Sequence, residues 1–361
     1  MRTSLFVALF CALAAGSARA DLAGDMRKIA DSIKQVKAQW TQGALPTNVS
    51  FDHEIGALTK IIEDGKLNEA GRTVALYYRG EAHLLVNVAR VNANRPPDVD
   101  AAREALVDYD RVIKYGKDIP DWGVDVANAA YYAGWIAQRY LNSAPLAYSY
   151  WEKCADRDHY GCLTTVATAR ISGFGNMKID PDQAVELNGR AFSAGTYHGC
   201  AAAYAARNNA LIIFFMKTKR PASEAFEWIE HAKRVLDMLA QDQKTDNPCG
   251  RSRFDIIEYL MRYSADNPDR KILELAERRA EGDEDRAVAR YLTGSMDEGA
   301  FRLQASRSPS KPGKCAMHFL AMWNAEVNRN GGVARDHYKA MQELGAEACG
   351  PELAYVKKFG R

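Results

Sequence analysis

YSYWEKCADRDHYGCLTTVA, residues 148–167, and ELNGRAFSAGTYHGCAAAYA, residues 186–205, are two copies of one pattern. Ala147 corresponds to Ala184, Lys153 to Arg190 and Cys162 to Cys200, a period of 37 to 38 residues. Each copy reads as a helix, a short glycine-containing turn and a second helix. One such hairpin cannot bury its apolar face alone, so a fixed period of this length predicts hairpins stacked in series.

The rest of the chain agrees with that unit. From Asp21 onward apolar residues recur every three or four positions, the helical spacing, and no strand pattern is found. Residues 24–40 place Met26, Ile29, Ile33, Val36 and Trp40 on one stripe, and residues 51–64 form a second amphipathic helix. About ten further helices, joined by short Gly, Pro, Asn and Asp turns, complete the reading. The expected fold class is all-α, an α-solenoid of antiparallel helix hairpins. At 361 residues and 47% hydrophobic content the chain can build a core. Its formal charge of +2 excludes a nucleic-acid binder of the basic-patch kind.

The first twenty residues, MRTSLFVALFCALAAGSARA, carry Arg2, an apolar run from Leu5 to Ala15, and small residues Ala18 and Ala20 before Asp21. This is the pattern of a cleavable secretory signal, with cleavage after Ala20. No other apolar run is long enough to span a bilayer. Removing the leader leaves 46 basic and 46 acidic groups and six cysteines. An even cysteine count in an exported chain reads as up to three disulfides. The expected location is the bacterial periplasm or the medium. The neutral balance also argues against a strongly electrostatic partner.

Two segments carry a family resemblance. GFGNMKIDPDQA, residues 173–184, is similar to the Gly-x-Gly-Gly-Val-x-x-Asp-x-x-Lys-Ala junction of Sel-one-like repeats, a branch of the tetratricopeptide superfamily, although Asn176, Met177 and Gln183 depart from it. GGVARDHYKA, residues 331–340, keeps Gly331, Gly332, Val333, Asp336, Lys339 and Ala340. Glycines there would let the chain reverse between helices, the Asp would cap the second helix, and the small Ala would allow close approach. Upstream, ALVDYDRVIKYGKDIP (residues 105–120) resembles the second helix of a tetratricopeptide repeat, and Gly80 and Gly134 stand at the family's small position. The resemblance covers residues 70–240 and 313–349. The chain is thus divided into a signal peptide (1–20), an N-terminal helical cap (21–66), a repeat array (67–242), an irregular helical insert and linker (243–312) and a C-terminal hairpin (313–361).

The family's cysteine-rich members from Helicobacter staple adjacent helices with cysteines eight apart, which implies a Cys154–Cys162 bond. Cys200 has Ala191 where such a partner would stand. Cys200 and Cys249 flank one hairpin and Cys315 and Cys349 another, with similar offsets to the junction alanines, so those pairings are favoured among the 15 possible. The dispersed histidines, among them His159 and His198 near cysteines, read as polar turn residues rather than zinc ligands. No metal and no cofactor is expected.

Catalytic signatures are sparse. His-Glu-x-x-His, Gly-x-Ser-x-Gly and the phosphate-loop motif are missing. Ser308-Pro309-Ser310-Lys311 is a Ser-x-x-Lys, the nucleophile motif of penicillin-recognising enzymes, but reads as part of a flexible linker without the companion motifs. No catalytic residue is assigned.

In the family the first helix of each repeat lines a concave groove for peptides or proteins. Carried over from Gly80 and Gly134, that groove would be lined by Tyr77, Glu81, Leu84, Tyr131, Trp135, Gln138 and Arg139, followed by Thr164 and Thr168. Aromatics with an Arg suit a binding hot spot. The expectation is a protein that binds a protein or peptide partner in the cell envelope, as adaptor, assembly factor or regulator. The alternatives are β-lactam or peptidoglycan-fragment chemistry and a secreted, host-directed effector.

Overall fold

The computed structural model describes residues 17–41, 47, 49–195, 199–243, 245 and 248–359. Among them are seventeen α-helices and no strand; the single β-type pairing is an isolated bridge between Ile119 and Val124. Of the expected signal segment, residues 1–16 lie outside the described residues, as does His198. The chain divides into two compact units, Met1–Arg157 and Asp158–Arg361. No helix among the described residues is long and apolar enough to cross a membrane.

In the first unit the helices are α1 (Ser17–Thr41), α2 (Asp52–Glu63), α3 (Glu69–Asn92), α4 (Val99–Tyr115), α5 (Val126–Arg139) and α6 (Ala144–Ala155). Consecutive helices pair, α3 with α4 and α5 with α6, while α1 leaves sequence order and lies against α3. The starts are set by side chains that accept orphan backbone N–H groups. Asn68 caps α3 through Gly71 N (2.8 Å), Asp98 caps α4 through Ala101 N (3.0 Å), and Asp125 caps α5 through Ala127 N (2.8 Å).

The small positions do what close packing requires. A Cβ on Gly80 would stand 3.2–3.3 Å from the Tyr109 ring of α4, and one on Gly134 would fall within the Trp151 indole of α6. That indole also donates from Nε1 to the Tyr131 carbonyl at 3.1 Å, locking α5 to α6. The core of this unit runs from Met26, Ile29 and Ile33 on α1 through Leu58, Tyr77, Leu84 and Tyr109 to Ile136.

The second unit continues with α7 (Tyr160–Ser172), α8 (Pro181–Gly195), α9 (Cys200–Phe215), α10 (Glu224–Gln243), α11 (Arg251–Ser264), α12 (Arg270–Arg279), α13 (Asp283–Thr293), α14 (Glu298–Arg307), α15 (Lys311–Val327), α16 (Gly331–Leu344) and α17 (Ala346–Tyr355). Neighbours in sequence pack on one another, and α17 turns back onto α7, α9, α15 and α16. The segment expected to be irregular, 243–312, holds four helices. Within it, GDED (residues 282–285) opens α13, where Asp283, Glu284 and Asp285 complement the positive helix end.

The two junctions differ. After α7, Gly173 (φ 74°) and Gly175 (φ 69°) take the left-handed conformation that reverses the chain, and Asp180 caps α8 through Gln183 N at 3.0 Å. Before α16 the reversal falls on Arg329 (φ 55°) and the cap on Asn330. Gly331 and Gly332 are already helical, and Asp336 sits one turn in, paired with Arg302 at 2.9 Å. The second motif therefore keeps the family letters with a different division of labour, because Asn330 supplies the capping oxygen three residues before Val333 N.

Disulfides join Cys200 to Cys249 (Cα–Cα 5.4 Å) and Cys315 to Cys349 (5.6 Å), the partners that the sequence spacing favoured. Cys154 and Cys162 are half-cystines too.

Candidate binding groove

Most of the residues expected to line a groove lie on α3 and α5 of the first unit. On α3, one helical stripe carries Tyr77, Glu81 and Leu84. Expected to face a partner, these three are buried, at 1–2% exposure. The cover is α1. Its apolar stripe, Met26, Ile29, Ala30 and Ile33, is buried in the same core, as helical spacing from 26 to 33 dictates. One turn beyond Ile33, the Lys37 ammonium forms an ion pair with the buried Glu81 carboxylate.

The surroundings of that pair are aromatic. The Lys37 Nζ lies 4.5 Å from the centroid of Tyr132 and 5.9 Å from that of Tyr77, both faces negative in their quadrupole. Tyr77 meets Tyr109 edge-on at 6.1 Å, closing the floor. Burial acts to lower the Lys37 ammonium, but Glu81 and then Tyr132 outweigh it, and its pKa is raised. Burial, and after it the Glu81 charge, pushes Tyr77 and Tyr109 well above the usual phenol range. All three groups are thus held in their ordinary ionic states through neutral pH: ammonium, phenol, phenol.

Beyond Lys37 the shelf continues. Trp40 of α1 lies 6.3 Å from Tyr132 and 5.7 Å from Trp135 of α5. The Arg139 guanidinium stands 5.0 Å over Trp135. Tyr131, Trp135 and Gln138 are half-buried and Arg139 is exposed, so this end of the face is reachable from solvent. At the other end of α1, Arg27 donates to the Asp121 carbonyl (3.0 Å) and stacks on Trp122 at 4.2 Å. Tyr78 donates to the Trp122 carbonyl, so that turn is fixed from below.

Thr164 and Thr168, the remaining residues assigned to the groove, lie on α7 in the second unit and are half-buried. The Thr164 hydroxyl donates back to the Tyr160 and Gly161 carbonyls, at 3.2 and 3.1 Å.

The repeat resemblance marked one face of α3 but carried no sign of which segment covers it. Lys37 was missed because a lysine in an amphipathic helix usually points to water. The available signal was its place four residues after Ile33 and three before Trp40, inside the apolar stripe rather than opposite it.

Two other polar constellations stand apart. On the far side of α3, Arg79 grips Asp108 of α4 with two hydrogen bonds (2.8 and 2.7 Å) and reaches Thr59 of α2 at 3.0 Å. This bidentate pair ties three helices. In the second unit His318 and His337 meet Nδ1 to Nδ1 at 3.0 Å, and His337 Nε2 lies 3.2 Å from Glu298. Burial first, and then the neighbouring His337, pushes His318 down to about 4.

The Ser-x-x-Lys segment is not a flexible linker. Ser308 ends α14, Ser310 caps α15 through Gly313 N at 3.0 Å, and Lys311 is the first residue of α15. The Ser308 hydroxyl is buried and donates to Glu284, while Lys311 is exposed. That arrangement occupies the hydroxyl with a carboxylate instead of presenting it to a substrate.

No family model matches the chain, and no curated protein matches it.

Proposed function

We propose that the chain is an exported helical-repeat protein, similar to tetratricopeptide and Sel-one-like repeats, that binds a protein or peptide partner in the bacterial envelope. It acts as an adaptor, assembly factor or regulator. Helix pairs in sequence, close-packed glycines at the family's small positions and cysteines in disulfides all support a solenoid in an oxidising compartment. The leader pattern of residues 1–20 supports export.

The observation that carries the binding reading is the aromatic and charged face of α3 and α5. It already holds an amphipathic helix, α1, by apolar side chains and one buried ion pair. Helix-in-groove recognition uses the same ingredients. The half-buried Tyr131 and Trp135 with the exposed Arg139 extend that face to solvent, with the residue types that dominate interface energetics.

Site-specific photo-crosslinking in the producing cell tests this, with the reactive residue at Gln138 or Arg139 and a control on the exposed Lys28. A discrete adduct with one envelope protein from the first two positions only is the expected result. Equal, diffuse labelling from all three would contradict a partner at this face.

A further inference from the structure

The Lys37 ammonium occupies a pocket with three walls. Glu81 supplies a carboxylate at 2% exposure, and the rings of Tyr132 and Tyr77 supply two faces 4.5 and 5.9 Å from Nζ. We infer that this pocket, Glu81 with Tyr77 and Tyr132, reads a lysine on an amphipathic helix of a partner protein, and that α1 is the chain's own stand-in for that helix. The inference rests on the reading of the first unit as a protein-binding unit, and it names what that unit recognises.

The chemistry of the partner follows from the occupant. A carboxylate this deeply buried cannot be left without a cation, because removing its partner strands an uncompensated charge in the interior. A helix with a neutral residue at this position is therefore rejected, which is specificity by an unpaired charge. The aromatic faces add preference for a cation over a neutral polar group. The apolar part of the code is equally specific. Anchors equivalent to Met26, Ile29 and Ile33 precede the lysine, which stands four residues after the last, and an aromatic follows three residues later to reach the Trp135 shelf.

The seating of α1 is that of a ligand. Its outward side, with Asp25, Lys28, Asp31, Gln35 and Ala38, is exposed, and only its inner stripe enters the core. At its flanks Arg27 donates to the Asp121 carbonyl and Ser32 to Glu54 at 3.1 Å, both polar contacts. A tethered helix competes with an effective concentration on the order of millimolar. The face is consequently masked until a partner helix offers the same lysine with better anchors.

The test uses the full chain and two synthetic peptides, fluorescently labelled. One has the sequence of residues 22–41; the other carries Lys37→Met within it. The host is the chain with Ile33→Asp, which places a carboxylate at a fully buried site of α1 and unseats it. The expected result is saturable binding of the first peptide and binding of the second weaker by roughly tenfold or more, the worth of a charged hydrogen bond. Adding Glu81→Gln to the host should erase the difference between the peptides. Equal affinity of the two peptides, or no binding by a host that keeps its helical signal, overturns the inference. Where Ile33→Asp abolishes the cooperative melt, the host is the chain with Lys37→Met, whose α1 lacks the competing lysine, and the same ratio of the two peptides is the readout. A concentration-dependent dimer of the wild-type chain that is lost with Lys37→Met would also overturn it, by making a second copy the occupant. The peptide result stands or falls without any cellular partner, so it is separable from the crosslinking outcome.

Discussion

Acidification from pH 7 to pH 5 should loosen the α15–α16 hairpin of the second unit. His318 is half-buried against the buried His337, with Glu298, Arg302, Asp336 and Lys314 as the charged groups around the pair. Burial and the neighbouring ring hold His318 down at about 4, from an ordinary 6.5. The folded chain therefore resists a proton that the unfolded chain accepts below 6.5. Stability from this residue is intact above that pH and falls as pH drops toward 4. At pH 5 the unfolded imidazole is almost fully charged and the folded one almost neutral, a loss of about 2 kcal/mol, growing toward about 3 kcal/mol at pH 4. His337 is lowered as well, mainly by burial, and acts with the same sign. The assay is urea unfolding followed by tryptophan fluorescence at pH 7 and pH 5, for the wild type and His318→Asn. The variant keeps a polar partner for His337 and removes the titrating ring. Wild type should lose most of the stated energy between the two pH values, and the variant about half of it or less. An identical pH dependence in both proteins, or greater wild-type stability at pH 5, would refute the reasoning.

Three further outcomes follow from the packing. Gly134→Ala should destabilise the first unit by about 1–3 kcal/mol, because overpacking against Trp151 exceeds the roughly 1 kcal/mol gained in helix propensity; Gly80→Ala should cost less, and thermal melts rank the two. Asp108→Ala, which strands the Arg79 guanidinium between α2, α3 and α4, should cost on the order of 3–5 kcal/mol in denaturant unfolding, and Asp108→Asn visibly less. Removing the Cys315–Cys349 bond with paired serines should cost about 4 kcal/mol by the chain-entropy relation for a loop of 34 residues, read as a lower urea midpoint under non-reducing conditions and no change under reducing ones.

Much of the fold was legible because it rests on local rules. The α1 stripe from Met26 to Trp40 follows from helical spacing, and the small residues at Gly80 and Gly134 were read from the repeat resemblance; the caps at Asn68, Asp98 and Asp125 obey an equally local rule but were not read. The groove residues were less legible. Tyr77, Glu81 and Leu84 do share one face of α3, yet whether that face is open or covered depends on a helix forty residues upstream, and no periodicity in α3 encodes that. His318 and His337 looked dispersed for a related reason. Nineteen residues separate them, and only the register of the α15–α16 hairpin makes them neighbours. The second junction motif misled differently. Its letters match the family, but Asn330, just upstream of the matched letters, takes the cap and leaves Asp336 free to pair with Arg302.

The claim that α1 is a detachable occupant of the α3–α5 face is tested most directly by native-state hydrogen exchange in the intact chain. Amides of residues 26–36 should open at least about 1.4 kcal/mol more readily than those of residues 74–88, a tenfold difference in protection. Lys37→Met should lower protection in α1 alone. Equal protection in α1 and α3, falling together on Lys37→Met, would make α1 an inseparable part of the core and contradict the account.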